Sequence, residues 1–164
     1  MDKYSALIEH YGYLVVFFGV MLGNAGIPFP SAALLLAAGV MVQQGHLEFR
    51  DAIFFGVLGT IVGSQLGYWA GYKGGRLMVL KWGRYVRLTA DRLERVERFF
   101  IRHGGLAIFA ARFVSVFRVL GGLVAGISRM RWDTFLFYSA LGGVVWATAV
   151  VLLGYLVGLG VFSE

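Results

Sequence analysis

The chain has 164 residues, of which 59% are hydrophobic, and its mean hydropathy is +0.74. Few soluble domains of this size could bury so much apolar surface, so the composition predicts a single membrane domain over residues 1–164. The chain has no cysteine, which excludes disulfides and thiolate zinc sites, and its net charge of +6 favours anionic lipid headgroups over nucleic acid.

The first helix is predicted over residues 4–22. The leader before its apolar part carries one lysine against two acids, so the positive region of a signal peptide is missing and we expect this segment to stay in the mature protein. The helix is predicted to end at residues 23–30, which hold both prolines of the chain. A second apolar run, residues 32–42, follows Ser31, a good N-cap residue.

This second run is about 11 residues long, too short to cross a hydrocarbon core of about 30 Å. Helix, break and short helix together predict a re-entrant hairpin, which is tolerated where the break faces protein or a water-filled cavity. The alternative is one long helix kinked by proline.

Residues 51–72 are apolar enough to span the membrane, and their glycines recur mostly every four residues, which predicts a face for close helix packing.

Residues 73–104 form a basic insert, and nine lysines and arginines place it in the cytoplasm by the positive-inside rule. Within it, Thr89 is a predicted N-cap and Gly104 a predicted stop of an amphipathic helix on the membrane surface. We expect ion pairs from Asp91 to Arg95 and from Glu94 to Arg98. No base-reading motif accompanies the charge, so nucleic-acid binding is disfavoured.

The second half of the chain repeats the pattern of the first. Residues 105–128 are a second interrupted apolar segment, with breaks predicted near Ser115 and at Gly121 and Gly122, and a last span follows over residues 132–162. Shifting the chain by 87 residues overlays the halves without a gap and gives nine identities between residues 28 and 72. Repeat 1 is predicted over about 11–72 and repeat 2 over about 105–162.

These elements predict the fold class. It is an all-α polytopic membrane protein, an inverted repeat of two re-entrant helical hairpins, each followed by a transmembrane helix, with a basic amphipathic interfacial helix between them. In such folds the binding site lies near the midplane, where the broken helices meet.

Two arginines, Arg112 and Arg118, flank the second break inside an otherwise apolar segment. A charge at bilayer depth costs from ~2.5 to over 10 kcal/mol, so intramembrane charges are by default functional. All nine acids lie in leaders, loops or segment ends, so neither arginine has an obvious carboxylate partner at depth. The pair predicts an anionic guest, and a phosphate monoester fits two guanidinium forks. The alternative is that the arginines snorkel or bond free carbonyls.

The remaining predicted binding residues line the same region. The turn that holds Pro28, Pro30 and Ser31 would form the opposite wall, and Ser64, Gln65 and Ser115 are among the few polar residues that could line a path. No carboxylate pair lies at depth and the three histidines lie far apart, so we expect no enzyme activity, no catalytic residue, no metal and no cofactor.

At these residues the chain resembles the DedA family, also called the SNARE-associated or VTT family, over about residues 20 to 158. The resemblance is carried by five segments of the sequence, residues 26–39, 63–71, 99–105, 111–118 and 123–130. It implies two opposed re-entrant hairpins with spanning helices, and a role in moving or scrambling lipids, with bacterial members linked to recycling of undecaprenyl phosphate. The two family arginines correspond to Arg112 and Arg118.

Four positions depart from the family pattern. Gly23, Ala32 and Ser64 stand where the family often has acids, and Ser115 stands where it often has a proline between the two arginines. Loss of these acids removes the usual proton-titrating groups, so proton coupling is disfavoured while anion binding is retained.

The sequence therefore predicts a lipid translocase of the cell membrane that holds a polyprenyl phosphate or phospholipid headgroup on Arg112 and Arg118. Two rivals stay open: a transporter for a small solute or ion, and a membrane scaffold that transports nothing. The lipid, the direction and energy source of transport, the formation of homo-oligomers and the side of the N-terminus stay undetermined.

Overall fold

The computed structural model describes the backbone of residues 2–162 and the side chains of residues 10–81, 83–85 and 87–160. These residues form an all-helical protein of seven α-helices and one short 3-10 helix over Arg84–Val86. The helices are α1 (Asp2–Asn24), α2 (Ser31–Gln43), α3 (Phe49–Gly83), α4 (Ala90–His103), α5 (Gly105–Ala111), α6 (Ser115–Ile127) and α7 (Trp132–Phe162). Two described segments, Phe49–Lys81 and Trp132–Gly160, are long and apolar enough to cross a membrane.

The first break separates α1 from α2, as two helices instead of one kinked helix. The N-cap of α2 is Pro30 and no side chain caps it, so the prediction that Ser31 is the N-cap is wrong. The hydroxyl of Ser31 is instead buried against α1, where a Cβ on Gly23 would lie 2.8 Å from Ser31 Oγ, and it has no hydrogen-bond partner among the described residues.

Helix α3 runs eleven residues past the predicted end of the span at Tyr72, to Gly83. It is interrupted at Gly75, which adopts φ 67° and ψ −171°, a conformation open to glycine because it has no Cβ. Part of the predicted basic insert is therefore a continuation of this helix.

Helix α4 has the predicted ends. Thr89 accepts a hydrogen bond from the Arg92 backbone N–H at 3.4 Å, and Gly104 ends the helix with φ 57°. The predicted ion pairs inside α4 are absent from the described residues, and Glu97 instead pairs with Arg76 of α3 at 3.1 Å. The pairing is therefore between elements, and it ties α4 to the end of α3.

The second break lies between α5 and α6, next to the predicted Ser115, which is the first residue of α6. The break predicted at Gly121 and Gly122 is wrong, because α6 continues through both. Gly122 allows α6 to pack closely on α3, because a Cβ at this position would lie 2.9 Å from the Ser64 carbonyl oxygen of α3.

Each half packs its short helix on the long helix of the other half, α6 on α3 and α2 on α7. Gly39 and Gly126, which are 87 positions apart, both pack against the backbone of the other half's long helix, since a Cβ at either would overlap a carbonyl oxygen, that of Val151 and that of Tyr68 respectively. This exchanged packing brings the two breaks of the chain toward each other.

Candidate functional site

The second break places Arg112 inside the protein. After α5 the backbone N–H groups of Arg112, Phe113 and Val114 bond carbonyls three residues back, at 3.2 to 3.3 Å, which tightens the chain before α6 begins. The Arg112 side chain is 4% exposed. Its stem passes over Gly142 of α7, where a Cβ would lie 2.9 Å from Arg112 Cγ. Glycine at this position leaves room for the arginine.

The Arg112 guanidinium binds two neutral acceptors on different helices. Nη1 donates to Asn24 Oδ1 at 2.7 Å, and Nη2 donates to Ser64 Oγ at 2.6 Å. Both acceptors are oriented by their own helices, since Asn24 Nδ2 donates to the Val20 carbonyl at 2.8 Å and Ser64 Oγ donates to the Thr60 carbonyl at 2.7 Å. The Asn24 carbonyl oxygen can only accept, and the Ser64 hydroxyl has its one hydrogen on the Thr60 carbonyl, so both present oxygen lone pairs to Arg112.

Arg118, in the first turn of α6, is partly buried. Its Cζ lies 4.4 Å from the centroid of the Trp146 ring of α7, a cation–π contact. Its Nε is buried and has no hydrogen-bond partner among the described residues. This side chain therefore has an apolar support and unused hydrogen-bond donors.

No described carboxylate lies within 4.0 Å of either guanidinium. The ion pairs of the described residues lie at exposed or half-exposed arginines of α3 and the loops. Two positive charges in the interior are thus balanced only by neutral oxygens and a ring face, which leaves the site strongly favourable to an anion.

The two arginines line one small cavity together with Ser64, Phe117 and Phe135. Its volume is ≈ 10 Å³, about the space that one water molecule needs. The structure thus brings together three of the predicted binding residues, Arg112, Arg118 and Ser64, at one small cavity.

The other predicted binding residues lie elsewhere. Pro28 and Pro30 are exposed in the loop between α1 and α2, Ser115 is exposed at the start of α6, and Ser31 is buried between α1 and α2. Gln65 accepts a hydrogen bond from Trp132 Nε1 at 2.8 Å, at the start of α7. A binding role for these five residues stays a prediction.

Sequence reasoning missed Asn24 and Trp146. Asn24 is the last residue of α1, and its only signal was a lone amide at the end of an apolar helix, directly before the first break. Trp146 lies in the last span together with other aromatic residues, and nothing in the local sequence distinguishes it from them. No group of three histidines, aspartates or glutamates suited to a metal ion occurs among the described residues.

Comparison with known proteins agrees with the resemblance noted above. The family profile of the VTT domain matches residues 29–156. An uncharacterised membrane protein of Synechocystis sp. is 34% identical over 164 residues, which are 100% of this chain and 75% of that protein. Undecaprenyl phosphate transporter A of Bacillus subtilis is 31% identical over 151 residues, 92% of this chain and 74% of the transporter.

A third relative, from Lactococcus lactis subsp. cremoris, is named alkaline phosphatase-like protein. It is 28% identical over 157 residues, 93% of this chain and 73% of that protein. No solved structure matches the chain. The profile includes both Arg112 and Arg118, and the Synechocystis relative matches the whole chain. The chain is therefore a membrane protein and belongs to the VTT-domain family, also called the DedA family.

Proposed function

We propose that this protein moves an anionic phosphate lipid, such as undecaprenyl phosphate, across the cell membrane, with the headgroup held by Arg112 and Arg118. One observation carries the proposal: two guanidiniums line the same interior cavity, and no described carboxylate neutralises either of them. A relative named undecaprenyl phosphate transporter A supports the lipid class.

The hydrogen-bond pattern suits a dianionic headgroup. Arg112 uses two N–H groups on Asn24 and Ser64 and retains others, while the Nε of Arg118 has no partner among the described residues. Phosphate oxygens accept from such forks in pairs, and hydrogen bonds between charged partners are about twice as strong as neutral ones. The polyprenyl chain would remain in the surrounding lipid.

We infer that α1–α2 and α5–α6 are re-entrant hairpins of one domain with an inverted repeat. Helices α2 and α6 have 13 residues each, or about 20 Å at about 1.5 Å per residue, which is less than a core of about 30 Å. The exchanged packing of α2 on α7 and α6 on α3 supports a pseudo-two-fold relation. The basic charge of residues 73–104 favours a multi-pass protein with that segment in the cytoplasm.

The cavity must open for a headgroup to bind, because ≈ 10 Å³ holds no more than about one water molecule. The structure therefore corresponds to a closed state in this mechanism. The opposed hairpins would separate alternately on the two sides, and the arginines would stay with the headgroup at the midplane.

Hydrolysis of a phosphate ester is less well supported than transport. The lining of the cavity includes neither a histidine nor a carboxylate among the described residues, and its one hydroxyl, Ser64 Oγ, donates to the Thr60 carbonyl. The site thus offers anion binding without a general base beside a nucleophile.

The test is native mass spectrometry of the purified protein with undecaprenyl phosphate, and undecaprenol as the uncharged control. We expect the wild type to retain the phosphate lipid, and Arg112→Ala and Arg118→Ala each to retain at least about tenfold less, the loss of roughly 1.4 kcal/mol. Arg102→Ala, which removes an exposed arginine of α4, is the matched control for lost charge. Equal retention by all variants would refute the headgroup site and favour the scaffold or small-solute alternatives.

A further inference from the structure

A second cavity lies at the surface between α4 and α6, and the function proposed above does not use it. Its volume is ≈ 230 Å³, more than twenty times that of the interior cavity. Three arginines line one side of it, Arg87, Arg92 and Arg95, and an apolar wall of α6 lines the other, Val116, Phe117 and Leu120.

The three arginines concentrate positive charge at this cavity. None of them belongs to an ion pair among the described residues, although Asp91 and Glu94 lie on the same helix, and Glu97 is bound to Arg76. Arg92 Nη1 donates to the Arg87 carbonyl at 3.2 Å, which holds the two residues together across the turn before α4. The arginines are exposed, so an anion can reach them from the interface.

The apolar wall identifies the kind of anion. Val116 is 52% exposed and Phe117 37% exposed, directly beside the arginines. A free phosphate would use the guanidiniums and leave this wall in contact with water. A membrane lipid would place its phosphate on the arginines and the first methylenes of its chain on the wall, which satisfies both surfaces.

Phe117 joins this cavity to the interior one. Phe117 is a lining residue of both cavities, and the next residue along α6 is Arg118. A headgroup bound to the outer arginines would thus be separated from Arg118 by one aromatic side chain and the first turn of α6.

We infer that the cavity between α4 and α6 binds the phosphate headgroup of an anionic membrane lipid, and that Phe117 separates this outer site from the Arg112–Arg118 cavity. Lipid binding between α4 and α6 is inferred from the surface cavity alone. The separating role of Phe117 rests on the proposed function, because it makes the outer site the position from which a lipid reaches Arg112 and Arg118.

Lipid binding is tested on the full chain by native mass spectrometry with phosphatidylglycerol, and phosphatidylcholine of the same acyl chains as the zwitterionic control. We expect the double variant Arg92→Gln and Arg95→Gln to retain about tenfold less phosphatidylglycerol, while Arg98→Gln with Arg102→Gln, also exposed on α4, retains the wild-type amount. Inorganic phosphate should not displace the lipid. An equal loss in both double variants, or displacement by phosphate, would overturn the outer lipid site.

The role of Phe117 is tested by access to the inner cavity. The chain has no cysteine, so Ser64→Cys introduces a single thiol at the cavity wall. We expect an anionic methanethiosulfonate reagent to label it at least fivefold faster when Phe117→Ala is added, and at an unchanged rate when Phe137→Ala, at an exposed ring of α7, is added. An unchanged rate with Phe117→Ala would overturn the barrier role.

The two proposals fail in different ways. If Arg118→Ala retains undecaprenyl phosphate, the inner headgroup site is wrong, whereas phosphatidylglycerol binding through Arg92 and Arg95 is still measured separately. If the inner site is found and the Arg92 and Arg95 variant binds phosphatidylglycerol normally, only the outer site is wrong.

Discussion

Arg112 and Asn24 are 88 residues apart in the chain and are joined by a buried hydrogen bond of 2.7 Å. Asn24 ends α1 at the first break, and Arg112 follows α5 at the second. The hydrogen bond therefore joins the two interruptions of the chain. Since its acceptor is a neutral amide, the positive charge of Arg112 stays uncompensated at the point where the halves meet.

Replacing Arg112 by a residue of similar length without charge should stabilise the protein. An isolated buried charge costs several kcal/mol, whereas each acceptor left without its donor costs about 1–3 kcal/mol. We expect Arg112→Met to raise the thermal unfolding midpoint in detergent while it abolishes binding of the phosphate lipid. Arg102→Met, at an exposed position, should change neither. A lower midpoint for Arg112→Met would show that the arginine is structural.

A carboxylate at position 64 should act as an internal anion. Ser64 Oγ lies 2.6 Å from Arg112 Nη2, so Ser64→Asp would pair with the guanidinium directly. We expect a higher unfolding midpoint and at least a tenfold lower affinity for the phosphate lipid, because the lipid would then compete with a fixed partner. Ser64→Asn is the neutral control, similar in shape to the aspartate, and its lipid affinity should fall less than that of Ser64→Asp. Equal affinities of Ser64→Asp and Ser64→Asn would contradict the prediction.

The Trp146 ring should position Arg118 for the headgroup. Cation–π contacts contribute roughly 0.5–2 kcal/mol, more when desolvated, and indole is the strongest ring. We expect lipid affinity to fall about threefold to tenfold in Trp146→Leu and less in Trp146→Phe, measured as the dissociation constant beside the unfolding midpoint. Trp69→Leu, at a half-exposed ring of α3, serves as the control. The prediction is wrong if Trp146→Leu and Trp146→Phe bind the lipid equally well and any loss of lipid affinity only follows a lower unfolding midpoint.

The exchanged packing of the halves predicts which glycines of α7 tolerate a side chain. A Cβ on Gly154 would overlap the Leu36 carbonyl oxygen of α2, whereas a Cβ on Gly160 would have nothing within 4 Å. We expect Gly154→Ala to destabilise the protein by about 1–3 kcal/mol, because overpacking forces backbone shifts. Gly160→Ala should leave the midpoint unchanged or raise it, since alanine favours helix. Similar midpoints for both variants would contradict the close packing of α2 on α7.

The sequence predicted the features that depend on local pattern. Hydrophobic runs, prolines and glycines located the helices and both breaks, and Thr89 and Gly104 located the ends of α4. The same local signals failed at Gly121 and Gly122, where α6 continues and Gly122 packs against α3, and at Ser31, whose side chain is directed toward α1 instead of its own helix end. In these cases a neighbouring helix outweighs the local preference of the residue.

By itself the sequence determined that this is a helical membrane protein with two arginines and no acid inside its apolar segments. The length and composition of each apolar segment, and the charged residues within it, can be read directly along the chain, and a charge in such a segment is costly wherever the segment packs. Only the tertiary structure decided which groups meet those arginines. Asn24 lies 88 residues from Arg112, and Trp146 lies on a different helix from Arg118, so no periodicity along the chain encodes either contact. Both contacts join different helices, and the packing of helices, such as α2 on α7 and α6 on α3, depends on helix surfaces far apart in sequence.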